Sequence, residues 1–245
     1  MKNKYLLLPL MLLLTSCDPV ESSTPSESIE ESSSVVESTS STKDTSSTED
    51  TSALQAELAI LLGDASPTTV RDSITVIKGG YIYLSVYSRV EYDATNGIYH
   101  SQYQEYGLNS LDDNTATYTL SNTVYYDGYD SYTLDSDQMY VKKEEAKEIV
   151  DLEMGFNFEL VEDITYKLEG YTHTLNGTVK ASNANEFLST EGKEISDIEF
   201  KSYGNGDVIQ KIELVYYQND FKVTRSVEYS YLDVHLELPK NVKNF

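Results

Sequence analysis

From Tyr81 to Tyr92 the chain alternates with period two. Ile82, Leu84, Val86 and Val90 point one way, and Tyr81, Tyr83, Ser85, Tyr87, Arg89 and Glu91 point the other. A repeat of two is the side-chain period of a strand, so this stretch folds as one strand of a sheet with an aliphatic face and a tyrosyl-polar face. Ile74 to Lys78 reads as the strand before it, with Gly79-Gly80 as the turn. Asn96-Gly97 is a hairpin signal leading into Ile98 to Tyr106. Ala116 to Tyr126 follows as a further strand after an Asp112-Asp113-Asn114 turn.

The pattern resumes in the second half. Ile164 to Leu168, Tyr171 to Val179, Asp197 to Tyr203, Val208 to Tyr217, Phe221 to Tyr231 and Leu232 to Leu238 all read as strands. Three segments carry a helical signal instead. Leu54, Leu58, Leu61 and Leu62 form one apolar stripe behind Ser52 as N-cap. Ala146, Ile149, Val150 and Met154 form another within 142–154, led by Asp135 and Asp137. Ala184 to Leu188 is a third, short piece. The expected fold class is therefore α+β: a curved, half-barrel-like antiparallel sheet with two or three short helices packed on one face.

Composition divides the chain. Residues 18–52 hold 19 Ser or Thr and nine acidic residues against one Lys. So little apolar surface cannot offset the entropy of ordering, and the segment is expected to be a disordered tether, roughly 30–35 Å in r.m.s. span. Residues 53–245 have the length of a single domain. The net charge is −23; without the two leading lysines and the tether it is −17, so the domain itself is acidic. Such a charge repels phosphates, which argues against nucleic acid as a partner.

Cys17 is the one cysteine, which excludes an intramolecular disulfide and a cysteine metal site. Lys2 and Lys4 precede an apolar run from Leu6 to Leu14, too short for a membrane span. Leu14-Thr15-Ser16-Cys17 then resembles the lipobox of bacterial lipoproteins. The resemblance implies a signal peptide over 1–16, lipid attachment at Cys17, a tether over 17–52, and a cell-membrane address on the extracytoplasmic face, with acyl chains as the contact to the membrane.

Two further stretches carry a second resemblance. Leu175-Asn176-Gly177-Thr178-Val179 runs into Ala184-Asn185-Glu186-Phe187-Leu188, and Tyr229 to Val242 passes through Leu238-Pro239 into a short tail. With the lipobox, tether and long strands before them, these resemble LolA/LppX-like lipoproteins over about 53–242. Members of that superfamily fold as half-barrels with helices on the concave side, and several hold acyl chains there. The resemblance implies a lipid or other hydrophobic ligand between sheet and helices. Ile82, Leu84, Val86, Val90, Leu214 and Leu236 are the candidate lining on the aliphatic face.

Constellations for catalysis are missing from the pattern. His100, His173 and His235 each stand alone, and His173, among aliphatics, reads as a core-facing histidine. No Gly-x-Ser-x-Gly elbow or phosphate loop is present. Asp127-Gly128-Tyr129-Asp130, with Asp135 and Asp137 behind it, lacks the calcium-loop order and reads as a solvated turn. Asn176-Gly177-Thr178 reads as a turn, not a glycan acceptor. The expectation is a non-enzymatic protein with no metal or cofactor. Beside the hydrophobic-ligand reading stands an alternative from another class: an interaction or adhesion module that holds a protein or glycan on a Tyr-rich sheet face, 20 of the 21 tyrosines lying from Tyr81 onward.

Overall fold

Adjacent strands with matched alternation can share both faces of one sheet, and in this chain nearly all of them do. The computed structural model describes residues 66–108, 117–144, 152, 156–206 and 208–243. Its strands are β1 (Thr69–Lys78), β2 (Tyr81–Asp93), β3 (Ile98–Leu108), β4 (Thr117–Tyr126), β5 (Ser131–Leu134), β6 (Tyr140–Lys143), β7 (Glu162–Glu169), β8 (Thr172–Val179), β9 (Ile198–Asn205), β10 (Val208–Gln218), β11 (Phe221–Ser230) and β12 (Val242–Lys243). One α-helix, α1 (Ala181–Phe187), and a single 3-10 turn at Phe158–Leu160 complete the described elements.

All twelve strands lie in one sheet, ordered β12-β6-β5-β4-β3-β2-β1-β11-β10-β9-β8-β7. It consists of two antiparallel meanders, β1 to β6 and β7 to β11, joined where β1 pairs with β11 from Thr69↔Ser230 to Ile77↔Lys222. Turn chemistry sets the hairpins. Gly79 and Gly80 both take positive φ, 58° and 82°, the primed geometry that a two-residue hairpin needs. Gly204 is required for a different reason. A Cβ there would lie 2.0 Å from His173 Nε2 and 2.4 Å from the Val208 carbonyl oxygen.

The α+β expectation is overturned. Of the described residues 63% are in strands and 6% in helix, with one α-helix in place of two or three. The third helical piece is real, as α1. The first, Leu54 to Leu62, lies outside the described residues, and so does the apolar stripe of the second. Lys142 and Lys143, at the head of that second piece, instead extend β6 against Tyr132 and Ser131. Asp135 leads no helix there: its carboxylate caps the β5–β6 turn, accepting from the amides of Asp137 at 2.9 Å and Met139 at 3.0 Å.

Leu232 to Leu238 is not a strand either. From the end of β11 the chain crosses the sheet to reach β6, where β12 pairs in parallel with Tyr140 and Val141. A path across the strands leaves no neighbour with which to build a ladder. Side-chain alternation survives nonetheless, with Val234, Leu236 and Leu238 half-buried and Asp233, His235 and Glu237 exposed.

The main core lies on the aliphatic face of β1, β2 and β8–β11, where Val76, Leu84, Val86, Leu175, Phe200, Leu214 and Val227 are buried together. Phe187 of α1 is fully buried against it and stacks on Phe156 at 5.2 Å between ring centres. Arg225 enters this face as half of an ion pair, its Nη2 donating to Asp72 at 2.6 Å while its guanidinium lies over the Phe156 ring.

Candidate functional site

Register across β4, β3, β2, β1, β11 and β10 arranges the tyrosyl-polar face into rows. The first runs Thr119, Tyr106, Ser85, Thr75, Thr224 and ends at Val215. The second runs Ser121, Gln104, Tyr87, Ser73, Ser226 and ends at Glu213. Over five strands both rows are uncharged: nine hydroxyls and one amide. No hydrogen bond among the described residues uses any of these ten side chains. The third row, Thr123, Gln102, Arg89, Arg71, Glu228 and Lys211, is charged from β2 to β10 and bounds the strip there on one side.

Where β2, β3 and β4 meet, Ser85, Tyr87, Gln104, Tyr106, Thr119 and Ser121 line an open groove of about 370 Å³, with Glu105 contributing to its wall. Tyr106 is 45% exposed. Tyr87 and Tyr106 stand diagonally across the β2–β3 pair, a separation of about 7–8 Å that puts two rings within reach of one ligand.

The fourth row is packed. Glu91 and His100 are directly paired and both buried, with His100 Nδ1 2.9 Å from Glu91 Oε2. Arg89 Nη2 donates to the other Glu91 oxygen at 2.5 Å, and the His100 ring stacks on Tyr125 at 4.4 Å. Burial, aided by the nearby Tyr140 and Glu91, pushes the Tyr125 phenol up. Beyond this row Asp93 is fully buried. Its carboxylate accepts from the Leu236 amide at 2.9 Å, the Asn96 side chain at 2.7 Å and the Thr95 and Asn96 amides. These donors, the Leu236 amide foremost, hold the Asp93 carboxyl down at about 2 against the opposing effect of burial. The carboxylate therefore fastens both the β2–β3 turn and the crossing C-terminal segment. The Glu91–His100 pair has the composition of an acid–base dyad, but its His100 side chain is only 8% exposed, so it faces protein and not substrate.

On the opposite face Glu105 accepts from two phenols, Tyr103 and Tyr118, the latter at 2.6 Å. Burial first, and the bond to Glu105 second, raise Tyr118 to about 12 and Tyr103 further. Both phenols stay protonated donors at neutral pH. The Tyr118 ring covers Gly107, where an added Cβ would come within 2.7 Å of it.

The six residues expected to line an apolar site are not brought to one place. Leu84, Val86 and Leu214 are buried in the main core. Ile82 is 52% exposed beside the β1–β2 turn, and Val90 is half-buried between Val70 and Ser101. Leu236 sits on the crossing segment at Asp93. Cys17 lies outside the described residues. His173 is buried against Gly204 and beside the Tyr166 ring, with neither ring nitrogen hydrogen-bonded among the described residues, and His235 is exposed. Sequence reasoning missed the pairing of His100 with Glu91 and the clamp at Asp93. Among the described residues no group of His, Cys, Asp and Glu stands close enough to hold a metal ion, and no helix is long and apolar enough to cross a membrane.

No known family's model matches the sequence, and no curated protein matches it. Among solved structures, the dehydratase domain from the terminal module of the rifamycin polyketide synthase aligns with 71% of this chain and 79% of its own, at 9% identity and a TM-score of 0.19. A likeness of that size carries nothing about fold or chemistry.

Proposed function

We propose that this chain is a lipid-anchored, extracytoplasmic interaction module, not an enzyme, attached through Cys17 and binding an extracellular partner on the hydroxyl- and tyrosine-rich face of β2–β4. The observation that carries the reading is the groove around Tyr87, Gln104 and Tyr106, concave and open, lined by polar and aromatic side chains, with Glu105 at its wall turning its carboxylate to Tyr103 and Tyr118 on the opposite face. Rigid amphipathic tyrosines supply contact area at low entropic cost, and short hydroxyls and amides adapt their hydrogen bonds to a partner. The aliphatic face is engaged in the core instead. Its candidate lining residues are dispersed, which leaves an acyl chain without a gathered set of side chains to receive it.

Two measurements test the two halves of this reading. Cells producing the chain should incorporate labelled fatty acid into it, and Cys17→Ser should lose the label; persistent labelling overturns the anchor. Cells displaying the chain should adhere to at least one of a panel of immobilised matrix proteins and polysaccharides, with adherence lost in Tyr87→Ala/Tyr106→Ala. Equal adherence of parent and variant to every surface overturns the binding face.

A further inference from the structure

We infer that the partner held on this face is a neutral glycan chain, lying across the strands along the two uncharged rows; this rests on the binding face proposed above. Three observations select that chemistry. First, the rows lie on the interior strands β2, β1 and β11, whose backbone groups are already paired on both sides. A peptide that binds by adding a strand needs a free sheet edge, so recognition on these rows is left to side chains. Second, the side chains offered are hydroxyls and one amide, each able to donate and accept, beside two phenol rings. A sugar presents the complement: hydroxyls around its rim and C–H groups on its ring face, which pack against an aromatic ring. Third, neither row holds a cation over five strands, and the chain carries a net charge of −23. An anionic glycan would meet the net repulsion of the chain, and the nearest guanidiniums, Arg71 and Arg89 in the flanking row, already face Glu228 and Glu91, while a neutral glycan meets no repulsion.

The geometry suits a chain ligand better than a compact one. Five strands at about 4.8 Å spacing make a strip roughly 19 Å long, and the groove at Tyr87 and Tyr106 marks one end of it. The charged row through Arg89 and Arg71 bounds it alongside. Ser and Thr side chains have few rotamers to lose, so ordering them on a ligand costs little.

The test uses the full chain in detergent micelles and affinity electrophoresis through gels containing hydroxyethyl cellulose, xyloglucan or galactomannan as neutral probes, and polygalacturonate as the anionic one. The expected result is retardation by at least one neutral polymer and none by polygalacturonate. Retardation should be unchanged between about 0.1 M and 1 M salt, over which the Debye length falls from about 10 to 3 Å. Tyr87→Ala/Tyr106→Ala should weaken it at least tenfold, as should Ser85→Asp, which adds charge with little bulk. Tyr171→Ala, at a residue 84% exposed outside the two rows, should leave it unchanged. Circular dichroism and urea midpoints equal to the parent's establish that the variants fold.

Retardation that survives both row variants places the site elsewhere and overturns the inference. Retardation by polygalacturonate that fades with salt overturns its neutral-ligand basis. If no polysaccharide binds but an immobilised peptide array does, in a Tyr87- and Tyr106-dependent way, the glycan inference falls while the binding face stands. If no probe responds to the row variants, both fall.

Discussion

On one face of the sheet, β8 to β11 and α1 bury Leu175, Phe187, Phe200, Leu214 and Val227; on the other, the ends of β2 and β3 bury Glu91, Asp93, Ile98 and His100. The first patch is held by apolar area removed from water and close-packed rings, whose stabilisation is indifferent to pH. The second is held by carboxylates whose lone pairs are taken up by specific donors, and its fastening at Asp93 weakens when that carboxylate is protonated. Strand β2 belongs to both, buried through Leu84 and Val86 on one side and through Glu91 and Asp93 on the other. A strand whose inward face changes along its length lets one sheet carry two differently built cores, with the exposed hydroxyl rows between them.

The contrast breaks first if the apolar patch does not dominate stability. Phe187→Ala should cost about 3–5 kcal/mol by urea denaturation, because its ring is fully buried among Phe156, Phe158 and Phe200. A loss below about 1 kcal/mol would mean that the cluster collapses into the gap and contributes little. Gly204→Ala should cost about 1–3 kcal/mol, since its methyl would meet a histidine ring and a backbone carbonyl oxygen that cannot both yield.

The polar patch should fail locally and with acid. Asp93 has a folded pKa of about 2, below the unfolded value of about 3.9. Its contribution is therefore full above the unfolded value and is lost as pH falls toward the folded one. Pepsin cleavage within 232–241 should accelerate as pH drops from about 4 to about 2, and Asp93→Asn should raise cleavage at the upper end and flatten the pH dependence. A parent profile no steeper than that of Asp93→Asn would remove the carboxylate from the fastening role. The smallest effect belongs to neither patch. Lys167→Ala breaks an exposed pair with Glu169 on edge strand β7 and should change stability by less than about 0.5 kcal/mol.

Much of the sheet was legible because alternation reports which way side chains point. It did so even in Leu232 to Leu238, where half-buried and exposed residues alternate with no ladder beside them. Period two marks an extended chain with one side inward, and whether a neighbouring strand exists is a tertiary matter. Register was harder to read. A two-residue loop at Asn96-Gly97 would pair Thr95 with Ile98 and set Glu91 opposite Gln102. The actual loop is four residues long, closed by Asp93 accepting from the Thr95 and Asn96 amides, and it pairs Asp93 with Ile98 and Glu91 with His100. Both registers keep the same residues on the same face. The faces were readable and the Glu91–His100 contact was not. The candidate apolar lining rested on a shared face, and a shared face says nothing about whether core packing has already occupied it.

The pairing of β1 with β11 has a consequence for how the chain acquires its structure. Thr69 meets Ser230, so the seam joining the two meanders closes a loop of about 160 residues. Each meander can zip locally from its hairpins, but the middle of the sheet waits for the far end of the chain. Closing so long a loop before any contact rewards it makes such topologies slow to fold. During synthesis the first meander stands for a time with β1 as an open edge, the aliphatic side of β1 and β2 uncovered. In that interval the chain is most prone to pair with a second copy of itself.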